Sequence, residues 1–219
     1  MSDLQRILET RVHIVSGSLA VSPGHVTEHF ASPAAALDVA RSWLQRLPDA
    51  LQARWMAAPG GHIILNAGQH GFVLGESMYR NRTLVDVAWL KLAVYPDDRM
   101  VFLTPVGHLI AHLVGWGSGT KARPALVAPA PVLRAWEQFV SGVQSCFRAG
   151  YGLTPAGSAS DGPAARFDAT IYLAEGIAAY LDDRRRLNVR DPRLEKLLAA
   201  TLFQETSYFV QTGFPSREQ

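Results

Sequence analysis

His108 and His112, within Gly107-His108-Leu109-Ile110-Ala111-His112-Leu113, are spaced so that a helix carries both imidazoles on one face, at the separation a single metal ion needs. Leu103, Val106, Ile110, Leu113 and Val114 surround them with apolar side chains. Leu109 follows the first histidine, and a leucine cannot take a proton from metal-bound water. A second segment, Leu173-Ala174-Glu175-Gly176-Ile177-Ala178-Ala179-Tyr180, sets one carboxylate on a helical face shared with Ile171, Ala174, Ala178 and Leu181. A carboxylate there requires a partner. Two readings stand: the histidines hold a metal, or they are core-edge residues bonded to backbone while Glu175 pairs with an arginine.

The two segments together resemble the gluzincins, a family of zinc metallopeptidases. Their His-Glu-x-x-His helix is completed by a Glu on a later helix, often within Glu-Gly-x-Ala-x-Tyr. Glu175-Gly176-Ile177-Ala178-Ala179-Tyr180 matches the second stretch, and His108-Leu109-Ile110-Ala111-His112 departs from the first at its general base. The resemblance implies a zincin-like fold and Zn2+ ligation by His108, His112 and Glu175, with water in the fourth position and Tyr180 or His70 behind the ligands. General-base help contributes on the order of 10²- to 10⁴-fold in rate, so a degenerate gluzincin-like protein without conventional peptidase activity is expected. The alternative is a metal-free interaction or scaffold protein with a protein or peptide partner, for which Trp43, Trp55, Trp89, Trp116 and Trp136 offer anchors.

A second metal pattern, His25-Val26-Thr27-Glu28-His29, matches the inverted motif His-x-x-Glu-His. It works only on a helix, whereas Pro23-Gly24 precedes it and Ser32-Pro33 restarts a helix after it, so a strand is expected there. Gly115-Trp116-Gly117-Ser118-Gly119 lacks the Gly-x-Ser-x-Gly order of a nucleophile elbow, and no phosphate loop of the Gly-x-x-x-x-Gly-Lys type occurs.

Composition bounds the rest. The 219 residues are 48% hydrophobic and 18% charged, enough to bury one sizeable core. A single domain over 1–219 is expected, with any subdivision near 119–131 or 150–165, where Gly, Ser and Pro cluster. A net charge of +2 supplies no field to recruit nucleic acid or an anionic membrane, so neither is expected as a partner. Cys146 alone cannot form an internal disulfide, and an inert buried thiol is expected. The first residues lack a basic region followed by an apolar stretch, and no run approaches roughly 18 apolar residues, so a cytoplasmic protein is expected.

The elements that must position the candidate residues follow from pattern. Strands are expected at Val12–Val15 and Val26–Phe30, and a helix capped by Ser32 with Pro33 first and Ala36, Leu37, Ala40, Trp43 and Leu44 inward. Gly61–Asn66 and Gly71–Gly75 predict a hairpin about Ala67–His70, and Val85–Val94 leans to a strand. Thr104 and Pro105 read as the start of a short histidine helix that stops at Gly115. Helices are expected from Val132 to about Arg148, after Asp168 through Glu175, and from Asp191-Pro192 through Leu194, Leu197, Leu198, Leu202 and Phe209, with Asp182-Asp183-Arg184-Arg185-Arg186 as a solvated helix end. The fold class is therefore α+β: a small N-terminal sheet with helices and a mainly helical C-terminal half.

Overall fold

The computed structural model describes residues 1–20, 30–95, 97–116, 130–149 and 169–205. It is an α+β fold. The order is α1 (Asp3–Thr10), β1 (Val12–Ile14), α2 (Ser16–Ala20), α3 (Pro33–Leu44), α4 (Asp49–Ala57), β2 (His62–Asn66), β3 (Gly71–Tyr79), β4 (Arg82–Lys91), α5 (Arg99–Leu113), α6 (Ala130–Arg148), α7 (Ala169–Arg190) and α8 (Pro192–Ala200). The strand expected at 26–30 and its His-x-x-Glu-His motif lie outside the described residues, apart from the buried Phe30, as do Asp168 and most of the two loop-rich stretches.

Capping chemistry sets several helix ends. Ser32 Oγ accepts from Ala35 N at 3.1 Å ahead of Pro33, and Asp191 Oδ1 accepts from Leu194 N at 2.9 Å ahead of Pro192. Asp98 does the same for α5 through Val101 N at 3.1 Å, so the histidine helix starts five residues before Thr104 and Pro105 lies inside it. The start expected at Thr104-Pro105 is thus corrected: an aspartate cap and the buried Met100, Phe102 and Leu103 extend the helix through a proline that removes one backbone bond. At its other end Gly115 has φ +93°, with Gly115 N on His112 O and Trp116 N on Ala111 O, both at 2.9 Å, which closes the helix in a Schellman motif.

The sheet runs in the order β1-β2-β4-β3, with β1, β2 and β4 parallel and β3 antiparallel on the edge. The hairpin expected between β2 and β3 does not form. β3 turns back on β4 instead, through Arg80 and Asn81 at φ 48° and 60°, a two-residue turn whose twist suits paired strands. Between Val73 and Glu76 the ladder breaks into a bulge opposite Asp86, which itself adopts φ +57°.

One sheet face carries Val12, Ile63, Leu65, Ala88 and Leu90 into the main core with α5, α3 and α4. The other carries Ile64, Leu84 and Val87 with Val15, Tyr79 and Trp89. The core also takes Trp43, Trp55 and Trp136, and Trp116 packs on Trp136 and Phe139, so the tryptophans serve packing. Cys146 is buried and burial raises its thiol pKa, as expected of an inert side chain. The charge run lies at a helix end, as expected, and is exposed from Asp183 to Arg186: the backbone turns non-helical at Asp183 (φ −148°, ψ 95°), whose Oδ1 accepts from Arg185 N and Arg186 N and caps a second helical segment that runs to Arg190. No helix among the described residues is long and apolar enough to cross a membrane.

α5 and α7 form the most extensive interhelical contact. They cross at Gly107, where a Cβ would lie 2.0 Å from Ala174 O. Gly107→Ala is therefore expected to force the two helices apart and destabilise the protein by about 2–3 kcal/mol, read from the urea midpoint at unchanged slope. A loss below about 0.5 kcal/mol would show that the crossing can relax.

Candidate functional site

The Gly107 crossing brings the two chemistry-bearing segments side by side. His108 and Glu175 line one cleft of about 280 Å³, together with Val101, Thr104 and Pro105 of α5 and with His70, Gly71 and Phe72 at the start of β3. The Phe72 ring lies parallel to the His108 ring, 2° apart in orientation and 6.2 Å between centroids. Glu175 is 4% exposed, so its carboxylate sits at the floor of the cleft and not at its mouth.

His112 is turned elsewhere. Asp86 lies opposite the bulge of β3, and its left-handed conformation aims its side chain at α5, where Oδ2 meets His112 Nε2 at 3.2 Å, while Oδ1 accepts from Gly75 N at 2.8 Å. Burial raises the Asp86 carboxyl pKa, but the hydrogen bonds from His112 and Gly75 outweigh it and hold the group below its ordinary value. A Cβ at Gly60 would come within 2.9 Å of Asp86 Oδ2, so the carboxylate also depends on a glycine in the preceding loop. Leu109 is fully buried, and its Cδ1 lies 3.6 Å from where a Gly61 Cβ would sit. Position 109 therefore faces the core.

The expected ligand set is thereby divided: His108 and Glu175 share the cleft, while the Nε2 of His112 is engaged by Asp86. Among the described residues no group of three or more histidine, cysteine or carboxylate side chains is arranged to hold a metal ion. The donors as placed do not fit a three-ligand zinc centre. Of the two residues considered for a supporting role, His70 reaches the cleft, while Tyr180 stacks on Phe203 at 4.0 Å and under Arg184.

His70 is fixed by a consequence of Pro105. A proline has no N–H to donate to the carbonyl four residues back, here Val101 O, and His70 Nε2 donates to that oxygen instead at 3.1 Å. Its Nδ1 then accepts from Lys91 N at 3.4 Å, which sets the neutral tautomer. The spacing of Pro105 from Val101 signals an orphan carbonyl in the sequence, but which side chain would take it is a tertiary matter.

A second polar group, on the far face of the sheet, had no motif to announce it. Arg11 Nη1 lies 3.2 Å from His62 Nε2, and His62 Nδ1 lies 3.0 Å from His13 Nε2. Because arginine only donates, His62 accepts at Nε2 and donates from Nδ1, and His13 accepts at Nε2. Burial, then the charges of Arg11 and His13, depress the His62 pKa to about 4, against a smaller upward pull from Asp86.

Two expectations follow from these geometries. His70→Ala should cost about 1 kcal/mol because Val101 O loses its donor, and in a Pro105→Ala background the same change should cost much less; a double-mutant cycle with no coupling would refute the compensation. The depressed His62 pKa means that its neutral form is the one favoured by folding, so its stabilising contribution is complete above about pH 6.5 and is lost as pH falls towards 4. Urea titrations at pH 7, 5.5 and 4.5 should show this decline, and His62→Gln should flatten it.

No protein-family model, curated protein or solved structure matches this chain, so the site is defined by its own geometry.

Proposed function

We propose that the chain is a degenerate gluzincin-like protein that works without metal, as an interaction module whose cleft takes an extended peptide segment, and that it is not a peptidase. The observation that carries this reading is the placement of His112, whose Nε2 pairs with Asp86 at 3.2 Å and which does not line the cleft shared by His108 and Glu175. Leu109, packed in the core, supports it further, since neither the residue type nor its placement offers a base at the cleft.

The cleft suits a peptide for two reasons. Its walls combine apolar surface from Phe72, Val101 and Pro105 with imidazoles, the Thr104 hydroxyl and a carboxylate, a mixture that binds a side chain and orients it. One rim is the first residue pair of β3, which hydrogen-bonds to β4 on one side and is an edge of the sheet on the other. An extended segment can add to such an edge through its backbone and place one side chain in the cleft. Val73, Leu74 and Met78 are exposed along the same strand.

The competing reading, zinc held by His108, His112 and Glu175, draws on the shared cleft of His108 and Glu175 and requires His112 to leave Asp86. Elemental mass spectrometry of protein purified without chelator separates the two. Less than about a tenth of an equivalent of zinc, unchanged in His108→Ala, is expected, with no cleavage of a mixed peptide library. In a peptide array, Phe72→Ala should weaken the strongest binders by at least about tenfold. Near-stoichiometric zinc that disappears in a folded His108→Ala variant would overturn the proposal.

A further inference from the structure

The face of the sheet turned away from α5 concentrates positive charge. His13 and His62 lie on it because Val12 and Ile63, their neighbours along β1 and β2, face the helices. The His13 ring sits 5.5 Å from the Tyr79 ring, and the Arg80 guanidinium lies over that ring at 5.3 Å. Arg82 pairs with Tyr79 across the β3–β4 turn. Arg11 reaches the group from the end of β1 and is braced by Nη2 on Ala58 O at 2.8 Å. Among the described residues no carboxylate forms an ion pair with Arg11, Arg80 or Arg82, although three such pairs form elsewhere.

The hydrogen-bond chain gives this cluster a direction. Arg11 donates to His62, His62 donates to His13, and the neutral His13 must then carry its remaining proton on Nδ1, away from His62. The cluster thus offers three guanidinium groups, of which Arg11 already donates to His62 and Ala58 O, and an imidazole N–H, with no carboxylate ion-paired to the arginines among the described residues. A singly charged carboxylate would neutralise one of three cations. A phosphate, with two charges and three acceptor oxygens, matches the planar forks of several arginines.

We propose that this outer sheet face is an anion site for phosphate or a phosphate monoester, held by Arg11, Arg80 and Arg82 with His13 as a neutral donor. It is separate from the cleft, which opens on the opposite face. Arg80 and Arg82 are exposed at a turn, so their replacement leaves the core untouched.

Isothermal titration calorimetry of the full chain with inorganic phosphate and pyrophosphate at low ionic strength tests the site. Both anions should bind, pyrophosphate the more tightly, and Arg80→Gln combined with Arg82→Gln should weaken binding at least about tenfold, while Arg41→Gln on α3 leaves it unchanged. Binding of phosphatidic acid vesicles as well as free phosphate would assign the phosphate to a lipid headgroup, and binding of free phosphate alone would assign it to a soluble ester; both outcomes support the site. Absence of binding by either inorganic anion, or equal weakening in the Arg41→Gln control, would overturn it.

Discussion

The contact on which the site depends is the crossing of α5 over α7 at Gly107. With no side chain at that position, the α5 backbone approaches to where a Cβ would lie 2.0 Å from Ala174 O. Interhelical distances otherwise follow the side chains at the contact, and any residue larger than glycine would lift α5 away. The next residues along each helix, His108 and Glu175, are thereby brought to the same cleft. Gly176, one step further on, leaves room for a side chain instead: a Cβ there would meet Leu194 Cδ2 at 2.4 Å, whereas Gly107 faces backbone. The Gly107 crossing is therefore the contact that holds α5 and α7 together beside the cleft.

Around that crossing, irregular backbone is converted into side-chain placement. The bulge in β3 takes Gly75 N out of the ladder, Asp86 accepts from it, and the same left-handed Asp86 reaches His112. Pro105 leaves a carbonyl without its helical donor, and His70 supplies one. Both irregularities would cost stability if left uncompensated, to the extent that water does not replace the lost backbone hydrogen bond. Each is compensated by a titratable side chain, and the imidazoles near the cleft are consequently held in fixed orientations.

The two faces of the sheet divide the polar chemistry. Towards α5 lie the cleft residues and the Asp86–His112 pair, with a buried carboxylate at Glu175. Away from α5 lie His13, His62 and the arginines, which lack carboxylate partners among the described residues. Alternation along β1 and β2 produces this separation: one residue in each pair enters the core and the next is left to the outer face. Asp86 is felt at His62 only as a weak upward pull on its pKa.

Much of the helical framework was legible in the residues themselves. Ser32-Pro33 and Asp191-Pro192 carry their caps in their side chains, and the apolar stripes of α3, α6 and α8 follow from helical periodicity. The α+β class and the placement of His108, His112 and Glu175 on helices were likewise readable, because local propensity and periodicity act over a few neighbouring residues. α1 also carries its cap, Ser2 Oγ accepting from Gln5 N, and Leu4, Ile7 and Leu8 at helical spacing, although no helix was expected there; short α4 has no comparable pattern, and the start of α5 was misread because Pro105 is a strong local signal that the buried side chains before it override. Strand pairing was not legible: β2 and β3 are adjacent in the chain, yet β4 enters between them because Val87–Lys91 supplies a parallel partner for β2 and an antiparallel one for β3. The division of the histidines was beyond the sequence for the same reason. Spacing of four residues puts His108 and His112 on one helical face, but whether they converge on one point depends on what lies opposite, and only the tertiary fold brought Asp86 to one and Glu175 to the cleft of the other.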